Sequence, residues 1–211
     1  DVDIALHEKG YLILATDQGR DILRQNHATQ TEFGGDIIWM EPDDLAQKYP
    51  WMNTSDLAAG CWGRTGEGWF DAYCLMQSFR KQARRRGADY IDGEVVEVLR
   101  NGDQVTGVVL KDGRRFGCGQ LVNAAGTGGS KVARMAGLEI PVEPRKRCIF
   151  VFNCRDAEDI SASCPMLIDP SGLYVRPEGE FFITGIAPPK DRDPECWDFD
   201  VDHSLFDDII W

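Results

Sequence analysis

The residues best suited to chemistry in this sequence lie in a glycine-rich turn between a strand and a helix. Residues 121–125 predict a buried strand, Gly126 to Gly129 predict a turn, and a helix is expected from Ser130. Glycines at such a turn let the backbone approach a phosphate or a sugar, and the amino end of a helix favours an anion. The turn does not complete a G-x-G-x-x-G pattern, because Lys131 stands at the third glycine position, and it is not a P-loop. Glycines also occur in such turns for packing alone, so both interpretations stay open.

A second shaped loop, GEGWFD, runs from Gly66 to Asp71. Its glycines permit a sharp turn, and Asp71 is a natural N-cap for the helix that follows. Trp69 and Phe70 either contribute to a binding site or fill the core at the turn.

Arg176, two residues after Tyr174 near the end of a predicted strand, is a candidate for binding a carboxylate. A guanidinium presents paired donors in a planar fork that matches a carboxylate. A surface cation beside Pro177 explains the residue equally well. The sequence has no serine nucleophile elbow, no Cys–His arrangement and no carboxylate pair of clear spacing. The catalytic residues are therefore unknown from the sequence alone.

The charge of the chain argues against nucleic acid as a partner. The 211 residues carry a net charge of −12, whereas affinity for a phosphate backbone comes mainly from clustered Lys and Arg. Of two basic clusters, Arg84-Arg85-Arg86 and Arg145-Lys146-Arg147, the first closes a predicted helix, where cations complement the helix dipole.

The cysteines and histidines predict reduced thiols and no metal site. The seven cysteines form an odd set without a C-x-x-C pair, which indicates the cytoplasm or, in a eukaryote, the mitochondrial matrix. His7, His27 and His203 are far apart, and none has the spacing of a zinc site. No run of about 18 apolar residues occurs, so we expect no transmembrane segment.

The elements that must position these residues alternate between strands and helices. At the amino-terminal side we expect a strand over residues 3–14, a helix over residues 19–31 capped by Asp17, a strand over residues 37–40 and a helix opening at Pro42.

A helix over residues 72–86 is expected next, followed by a small antiparallel meander. Asn101-Gly102 and Asp112-Gly113 are strong hairpin signals within it. The remaining strands are expected over residues 89–91, 95–99, 104–110, 115–116, 146–153, 165–169, 173–176 and 181–185. Residues 200–211 predict a last helix, with Val201, Leu205 and Ile209 on one stripe. Because the chain opens on Asp1 and ends on an apolar run, both ends resemble fragment boundaries.

Taken in order, these features resemble the D-amino-acid oxidase and sarcosine oxidase superfamily. The resemblance rests on GEGWFDAYCLMQSFRKQARRRGADYIDGEVVEV, then GDQVTGVVLKDG, then LVNAAGTGGSKVARMAGLEIPVEPRKR, and it covers essentially the whole chain. The opening EKGYLILATD and the later PMLIDPSGLYVRPEGEFFITG look similar to the FAD-dependent oxidoreductase domain-containing protein branch of that superfamily.

The resemblance implies an α/β (α+β) fold in which part of a Rossmann-like FAD-binding domain is interleaved with an antiparallel-sheet substrate domain. Residues 1–66 would form the first part of the substrate domain and residues 140–211 the second part. Residues 67–139 would form the middle part of the FAD-binding domain. The superfamily's G-x-G-x-x-G segment lies upstream of such a stretch, so this stretch alone is expected to bind FAD weakly or not at all.

The resemblance also assigns residues to FAD and to a substrate. Val96 matches a valine whose backbone pairs with adenine, and Ala125, Gly126 and Thr127 match a turn that passes the ribose and pyrophosphate. Gly128 stands where the superfamily often has tryptophan, which puts a side-chain contact in doubt but not the backbone approach.

Tyr174 and Arg176 match a strand of the substrate sheet that faces the flavin, and Trp69 and Phe70 match the turn before the flavin-domain helix. The implied reaction oxidises a C–N bond of an amino acid or N-methylated amine, with an electron acceptor as a further partner. A non-catalytic flavin-fold assembly or interaction factor, and a nucleotide-binding domain built on the turn at Gly126, stay open as alternatives.

Overall fold

The computed structural model describes residues 2–210, without the side chains of residues 158 and 159. The chain divides into two compact units. Unit 1 holds the described residues up to 80, residues 147–189 and those from 200 onward, and unit 2 holds residues 81–146 and 190–199. Within residues 2–210, no helix has both the length and the apolar composition that crossing a membrane requires.

The described residues form ten strands and five α-helices. The strands are β1 (Tyr11–Ala15), β2 (Ile37–Met40), β3 (Ala59–Gly63), β4 (Val95–Asn101), β5 (Gln104–Leu110), β6 (Arg115–Gly117), β7 (Phe150–Phe152), β8 (Met166–Ile168), β9 (Tyr174–Glu178) and β10 (Phe181–Gly185). The helices are α1 (Arg20–Glu32), α2 (Pro42–Lys48), α3 (Ala72–Arg85), α4 (Gly129–Met135) and α5 (Glu158–Ser161). The mixture confirms the predicted α/β class.

Unit 1 is built on a seven-stranded sheet with the order β2-β3-β1-β8-β9-β10-β7. Each neighbouring pair is antiparallel except β1 and β8, which run parallel. Successive side chains of a strand point to opposite faces, and both faces are covered. Leu12 of β1 belongs to the apolar cluster that contains Leu45 of α2, whereas Ile13 packs against the cluster that contains Leu23 of α1.

Unit 2 contains the predicted meander, β4-β5-β6, with hairpin turns at Gly102 and Gly113. Both glycines have positive φ, +61° and +89°, which a side chain disfavours and a tight hairpin requires. Helix α4 packs against β4, and Arg100 donates a hydrogen bond of 2.6 Å to the carbonyl oxygen of Ala136 just beyond that helix.

Two helix starts were predicted correctly from local chemistry. Pro42 begins α2, where Glu41 and Asp44 form a capping box with each other's backbone. Asp71 caps α3, because its Oδ1 accepts a hydrogen bond of 2.9 Å from the Cys74 amide.

The prediction of a buried strand over residues 121–125 is wrong. No described strand pairs with this run, and Val122 is 86% exposed. An apolar run forms a strand only where a neighbour satisfies its backbone N–H and C=O groups. The run is anchored instead through Asn123, whose amide donates to the Gly129 carbonyl oxygen at 2.8 Å.

Other element boundaries also differ from the sequence prediction. The first strand begins only at Tyr11, because Gly10 adopts φ +75° and interrupts it. Asp17 does not cap α1; Gly19 is the N-cap, and its amide closes a turn onto the Thr16 carbonyl.

The strand predicted over residues 146–153 shortens to β7, and residues 89–91 lie outside the strands. The helix predicted over residues 200–211 forms only from residue 204, as two α-helical residues followed by the π-helical turn Phe206–Ile210, and of its predicted stripe Leu205 is buried whereas Val201 is exposed. Trp211 lies outside the described residues.

Candidate functional site

A cleft of about 520 Å³ in unit 1 is the candidate site. Three segments supply most of its wall: residues 5–9, the loop at 69–71, and residues 176–179 at the end of β9. These segments lie far apart in sequence, so the cleft exists only in the folded unit. Trp69, Phe70 and Arg176, which the sequence singled out separately, meet in it.

Backbone hydrogen bonds fix the two amino-terminal walls of the cleft to each other. The His7 amide donates to the Trp69 carbonyl oxygen at 2.8 Å, and the Trp69 amide donates back to the His7 carbonyl oxygen at 3.2 Å. This approach requires Gly68, where a β-carbon would overlap the His7 carbonyl. The glycine-rich loop is therefore shaped by a long-range contact as well as by its own turn.

Three side chains surround the indole ring of Trp69. The His7 ring stacks on it with centroids 5.8 Å apart and an interplanar angle of 29°. Lys9 Nζ lies 5.8 Å and Arg176 Cζ lies 5.2 Å from the ring centroid. Cations at such distances are attracted to the electron-rich face of an indole.

The two cations of the cleft differ in their partners. Arg176 donates to the Pro177 carbonyl oxygen at 2.9 Å and forms an ion pair with Glu178. Lys9 Nζ donates to the Ser161 carbonyl oxygen at 2.9 Å, which is a neutral acceptor.

Asp71 contributes a carboxylate to the cleft wall as well as a cap to α3. Its pKa lies below the ordinary value, mainly because the carboxylate accepts a hydrogen bond from the Cys74 amide and then one from the Cys74 thiol. The same contact raises the pKa of the Cys74 thiol, because the neutral thiol donates to the carboxylate.

Tyr174 and Arg176 lie on the same face of β9, opposite Val175, which packs against the core. The cleft lining includes Arg176 but not Tyr174. The Tyr174 hydroxyl lies instead beside Gly185 of β10, where a β-carbon would be 2.8 Å from it. Burial raises the pKa of Tyr174, and the nearby Arg176 opposes this shift. Tyr174 as a substrate contact stays a prediction.

Val96, the residue predicted to lie beside adenine, is at an irregularity of β4. The pairing with β5 runs from Val95 to Glu97 and passes over Val96, and β4 is an edge strand of its sheet. A bulge on an edge strand leaves backbone groups facing away from the sheet. This geometry fits recognition of a base edge through the backbone.

Ala125, Gly126 and Thr127, the other residues predicted to contact FAD, are exposed at a 3₁₀ turn that leads into α4. Gly126 has φ +54°, and a β-carbon there would meet no atom within 4 Å. The Ala125 amide is held by Asn123 Oδ1 at 3.3 Å. The turn is thus open and shaped by its glycine, which fits a close backbone approach to a phosphate or sugar.

His7 and Lys9 line the cleft but were not singled out from the sequence as site residues. Their signal is weak: a polar run, His7-Glu8-Lys9, before Gly10 and a buried strand. Gly10 fixes the backbone after them, because a β-carbon there would overlap the Gly63 carbonyl oxygen. Only the fold brings them to Trp69.

Comparison with known proteins finds the same architecture in two solved structures. An L-proline dehydrogenase from P. horikoshii superposes with a TM-score of 0.82 at 22% identity, covering 98% of this chain and 55% of that one. A glycine oxidase from Bacillus cereus superposes with a TM-score of 0.70 at 20% identity, covering 99% of this chain and 55% of that one. At this identity the likeness shows the fold.

Curated relatives are similar over the sequence itself. FAD-dependent oxidoreductase domain-containing protein 1 of Xenopus laevis is 34% identical over 241 aligned residues, covering 100% of this chain and 48% of the relative. Human mitochondrial dimethylglycine dehydrogenase is 25% identical and covers 86% of this chain and 21% of the relative. The chain thus spans about half the length of the first of these relatives.

Residues 1–209 match the protein family described as FAD dependent oxidoreductase, DAO. The match extends over both units and includes the cleft, the bulge at Val96 and the turn at Gly126. The chain therefore belongs to the DAO family of FAD-dependent oxidoreductases.

Proposed function

We propose that the protein uses FAD to oxidise a C–N bond of an amino acid or an N-methylated amine. The family is FAD-dependent. Relatives and structural neighbours carry the names of enzymes for dimethylglycine, L-proline and glycine. Because the chain spans about half the length of the first relatives it matches, the activity is proposed for the protein at its full length.

The observation that carries the proposal is the meeting of Trp69 and Arg176 in one cleft of unit 1. A cleft of about 520 Å³ is within the usual range for small-ligand sites. Its wall combines an aromatic face with charged groups of both signs, Lys9 and Arg176 against Asp71 and Glu178. Such a wall suits a small ligand that carries a carboxylate and an amine.

On the cofactor side, the chain would hold FAD through its backbone. The bulge at Val96 would pair with the adenine edge, and the turn formed by Ala125, Gly126 and Thr127 would lie along the ribose and pyrophosphate. When bound, FAD would supply a two-electron acceptor for the hydride on the carbon beside the neutral amine nitrogen, whose lone pair forms the C=N bond while its proton passes to water, and water then hydrolyses the imine. The chain's own contribution is to hold and orient the amine.

The test is flavin reduction in the FAD-loaded protein at its full natural length. Under anaerobic conditions, α-amino acids and N-methylated amino acids are added one at a time, and bleaching of the oxidised flavin spectrum is followed. Bleaching by at least one of them, with formation of the matching carbonyl product and released amine, supports the proposal. Stoichiometric FAD that no member of the panel reduces would instead favour a non-catalytic flavin-fold assembly or interaction factor.

The electron acceptor is tested on the protein that the amine has reduced. Reoxidation by dissolved oxygen alone indicates an oxidase. Reoxidation only after addition of a quinone or an electron-transfer flavoprotein indicates a dehydrogenase with an acceptor partner.

A further inference from the structure

We propose that Gly185 of β10 is a positioning residue of the substrate site: because it has no side chain, the ring of Tyr174 lies over β10, and the Tyr174 hydroxyl is thereby fixed where it meets the substrate. This inference rests on the proposed function, in which Tyr174 is a predicted substrate contact. It gives a role to a glycine that the sequence did not single out.

Tyr174 lies on the same face of the unit 1 sheet as the cleft residue Arg176, and we call this the substrate face. Side chains two residues apart on a strand lie about 7 Å apart on one face. The opposite face is closed, because Val175 packs against the core there. Toward the edge of the sheet the substrate face is open: Val151, which pairs with Ile183 two strands from Arg176, is 64% exposed. Tyr174 is therefore on the face that a ligand of the cleft would meet.

Gly185 lies directly opposite Tyr174 in the antiparallel pairing of β9 and β10. A β-carbon on Gly185 would be 2.8 Å from the Tyr174 hydroxyl oxygen and 2.9 Å from Cε1 of the same ring. It would also be 2.9 Å from the Cys148 carbonyl oxygen. Carbon atoms in contact are ordinarily about 3.5 to 4.0 Å apart. The ring therefore takes the space that a side chain at position 185 would fill, as aromatic residues do opposite a glycine of a neighbouring strand.

The backbone conformation of Gly185 does not itself require glycine. Its φ is not positive, so residues with a β-carbon adopt the same conformation without strain. Glycine inside a strand is otherwise unfavourable, and it marks places where another group approaches closely. The side chain that approaches Gly185 is that of Tyr174.

Tyr174 is also held through its backbone. Thr184, which is 2% exposed, donates from Oγ1 to the Tyr174 carbonyl oxygen at 2.8 Å. The strand and the ring are thus both fixed before a ligand arrives, and a preorganised group loses less entropy on binding. Burial raises the pKa of Tyr174, so its hydroxyl is neutral and both donates and accepts hydrogen bonds.

The position of the ring is measured by fluorine NMR on the FAD-loaded protein at full length, with 3-fluorotyrosine in place of tyrosine. The Tyr174 resonance is the one that is absent from Tyr174→Ala. Gly185→Ala should shift this resonance, because the added methyl group displaces the ring.

Gly60→Ala of β3 is the matched control. Gly60 is also a strand glycine of unit 1 without positive φ, but its β-carbon would be 3.0 Å from Leu45 Cδ2, in the core and not on the substrate face. This variant should lose stability and leave the Tyr174 resonance in place.

The effect on ligands is measured with glycine, L-proline and N,N-dimethylglycine, the amines in the names of relatives and structural neighbours. In the dithionite-reduced protein, where no amine is oxidised, at least one of them should shift the Tyr174 resonance. Its affinity should be roughly tenfold weaker in Gly185→Ala. In anaerobic reduction of the oxidised flavin, the concentration for half-maximal rate should rise by a similar factor, whereas the limiting rate should change by less than about threefold.

A double-mutant cycle separates the ring from the rest of the fold. Tyr174→Ala should weaken binding of the probe by a factor similar to that of Gly185→Ala. Adding Gly185→Ala to Tyr174→Ala should weaken binding no further, because the ring that the methyl group displaces is gone. If Gly185→Ala alone loses its flavin, the double variant should regain it for the same reason.

Four outcomes overturn the assignment: an unmoved Tyr174 resonance in Gly185→Ala, no response of that resonance to any probe, losses that add in the double variant, or a double variant that does not regain the flavin lost by Gly185→Ala. Failure of the proposed function looks different. A probe that shifts the Tyr174 resonance but reduces no flavin would remove the oxidation and leave the positioning role. Flavin reduction by a probe that leaves the Tyr174 resonance unmoved would do the reverse.

Discussion

His7 and Trp69, which are 62 positions apart, exchange a pair of backbone hydrogen bonds of 2.8 and 3.2 Å. This isolated β-bridge holds two walls of the candidate site together. It brings the segment before β1 against the loop before α3, and the side chains that follow on each side form the wall of the cleft. Interfering with the bridge should therefore damage the site more than its two hydrogen bonds alone suggest.

Gly68→Ala is predicted to break this bridge. Gly68 does not have positive φ, so the added methyl group causes no backbone strain of its own. Its effect is steric, because it would overlap the His7 carbonyl oxygen. Overpacking of this kind costs about 1 to 3 kcal/mol, and denaturant unfolding measures it. Gly119→Ala is the control, because Gly119 also lacks positive φ and a β-carbon there would meet no atom within 4 Å. Equal stability of the two variants would contradict the bridge as a constraint.

The core of unit 1 gives a second prediction. Leu45 of α2 is fully buried in the cluster that contains Leu12 and Leu14. Leu45→Ala should lower the free energy of unfolding by about 2 to 5 kcal/mol through lost burial and a cavity. Ile22→Ala on α1 is the comparison, since Ile22 is 63% exposed and the change should stay within about 0.5 kcal/mol. A large effect at Ile22 would mean that a partner covers that face.

Local chemistry predicted the elements whose signals are complete within a few residues. The capping residue Asp71, the proline that opens α2 and the two Gly hairpins specify their conformations without distant contacts. Each of these predictions is confirmed. The α/β class that the family resemblance implied also agrees with the alternating strand and helix signals along the chain.

Features that depend on long-range contacts were not predictable in the same way. Residues 121–125 have the composition of a strand, but a strand exists only with a partner, and none is described. Lys9 and His7 carry no motif, and their place beside Trp69 follows from bonds across the fold. Arg176 was predicted as a candidate for binding a substrate carboxylate or as a surface cation, and the sequence did not indicate that its neighbour Glu178 forms an ion pair with it. A sequence pattern does not say which charges the fold leaves available.

The turn at Gly126 yields a prediction about FAD. Gly126 and Gly113 both have positive φ, +54° and +89°, and at both a β-carbon would meet no atom within 4 Å. Alanine at either position should therefore cost the same conformational strain, about 1 kcal/mol. Only Gly126→Ala, in the turn proposed to follow the pyrophosphate, should lower FAD affinity, by about tenfold.

FAD retained per polypeptide after gel filtration of the full-length protein measures this difference, with denaturant unfolding to check that the two stabilities match. A parallel loss of FAD in both variants would show that strain in unit 2, and not a contact at Gly126, limits binding. No loss in either would remove the turn from the proposed cofactor site.

The buried thiol of Cys164 gives a prediction about reactivity. All seven cysteines, each within the described residues, are free thiols, but Cys164 is buried whereas Cys154 is exposed. Burial raises the pKa of Cys164 to about 11, and the charge of Lys9 opposes that shift. Since the thiolate is the reactive form, iodoacetamide at neutral pH should modify Cys154 and leave Cys164 intact. Peptide mass spectrometry of native and denatured samples distinguishes the two, and rapid native labelling of Cys164 would contradict its burial.

The same pKa predicts how stability changes in alkali. Because the folded state holds the Cys164 thiol neutral, its stabilising contribution is complete below the ordinary thiol value of 9.0 and is lost as the pH rises toward about 11, where the unfolded chain binds fewer protons. The loss should amount to about 2 to 3 kcal/mol over this range. Cys164→Ala is less stable at neutral pH because of its cavity, but its unfolding free energy should fall less steeply between these pH values than that of the wild type. The measured quantity is the difference between the two slopes of unfolding free energy against pH, from which the other titrating groups cancel because they contribute equally in both proteins. Parallel slopes would mean that the Cys164 thiol ionises as easily in the fold as in water.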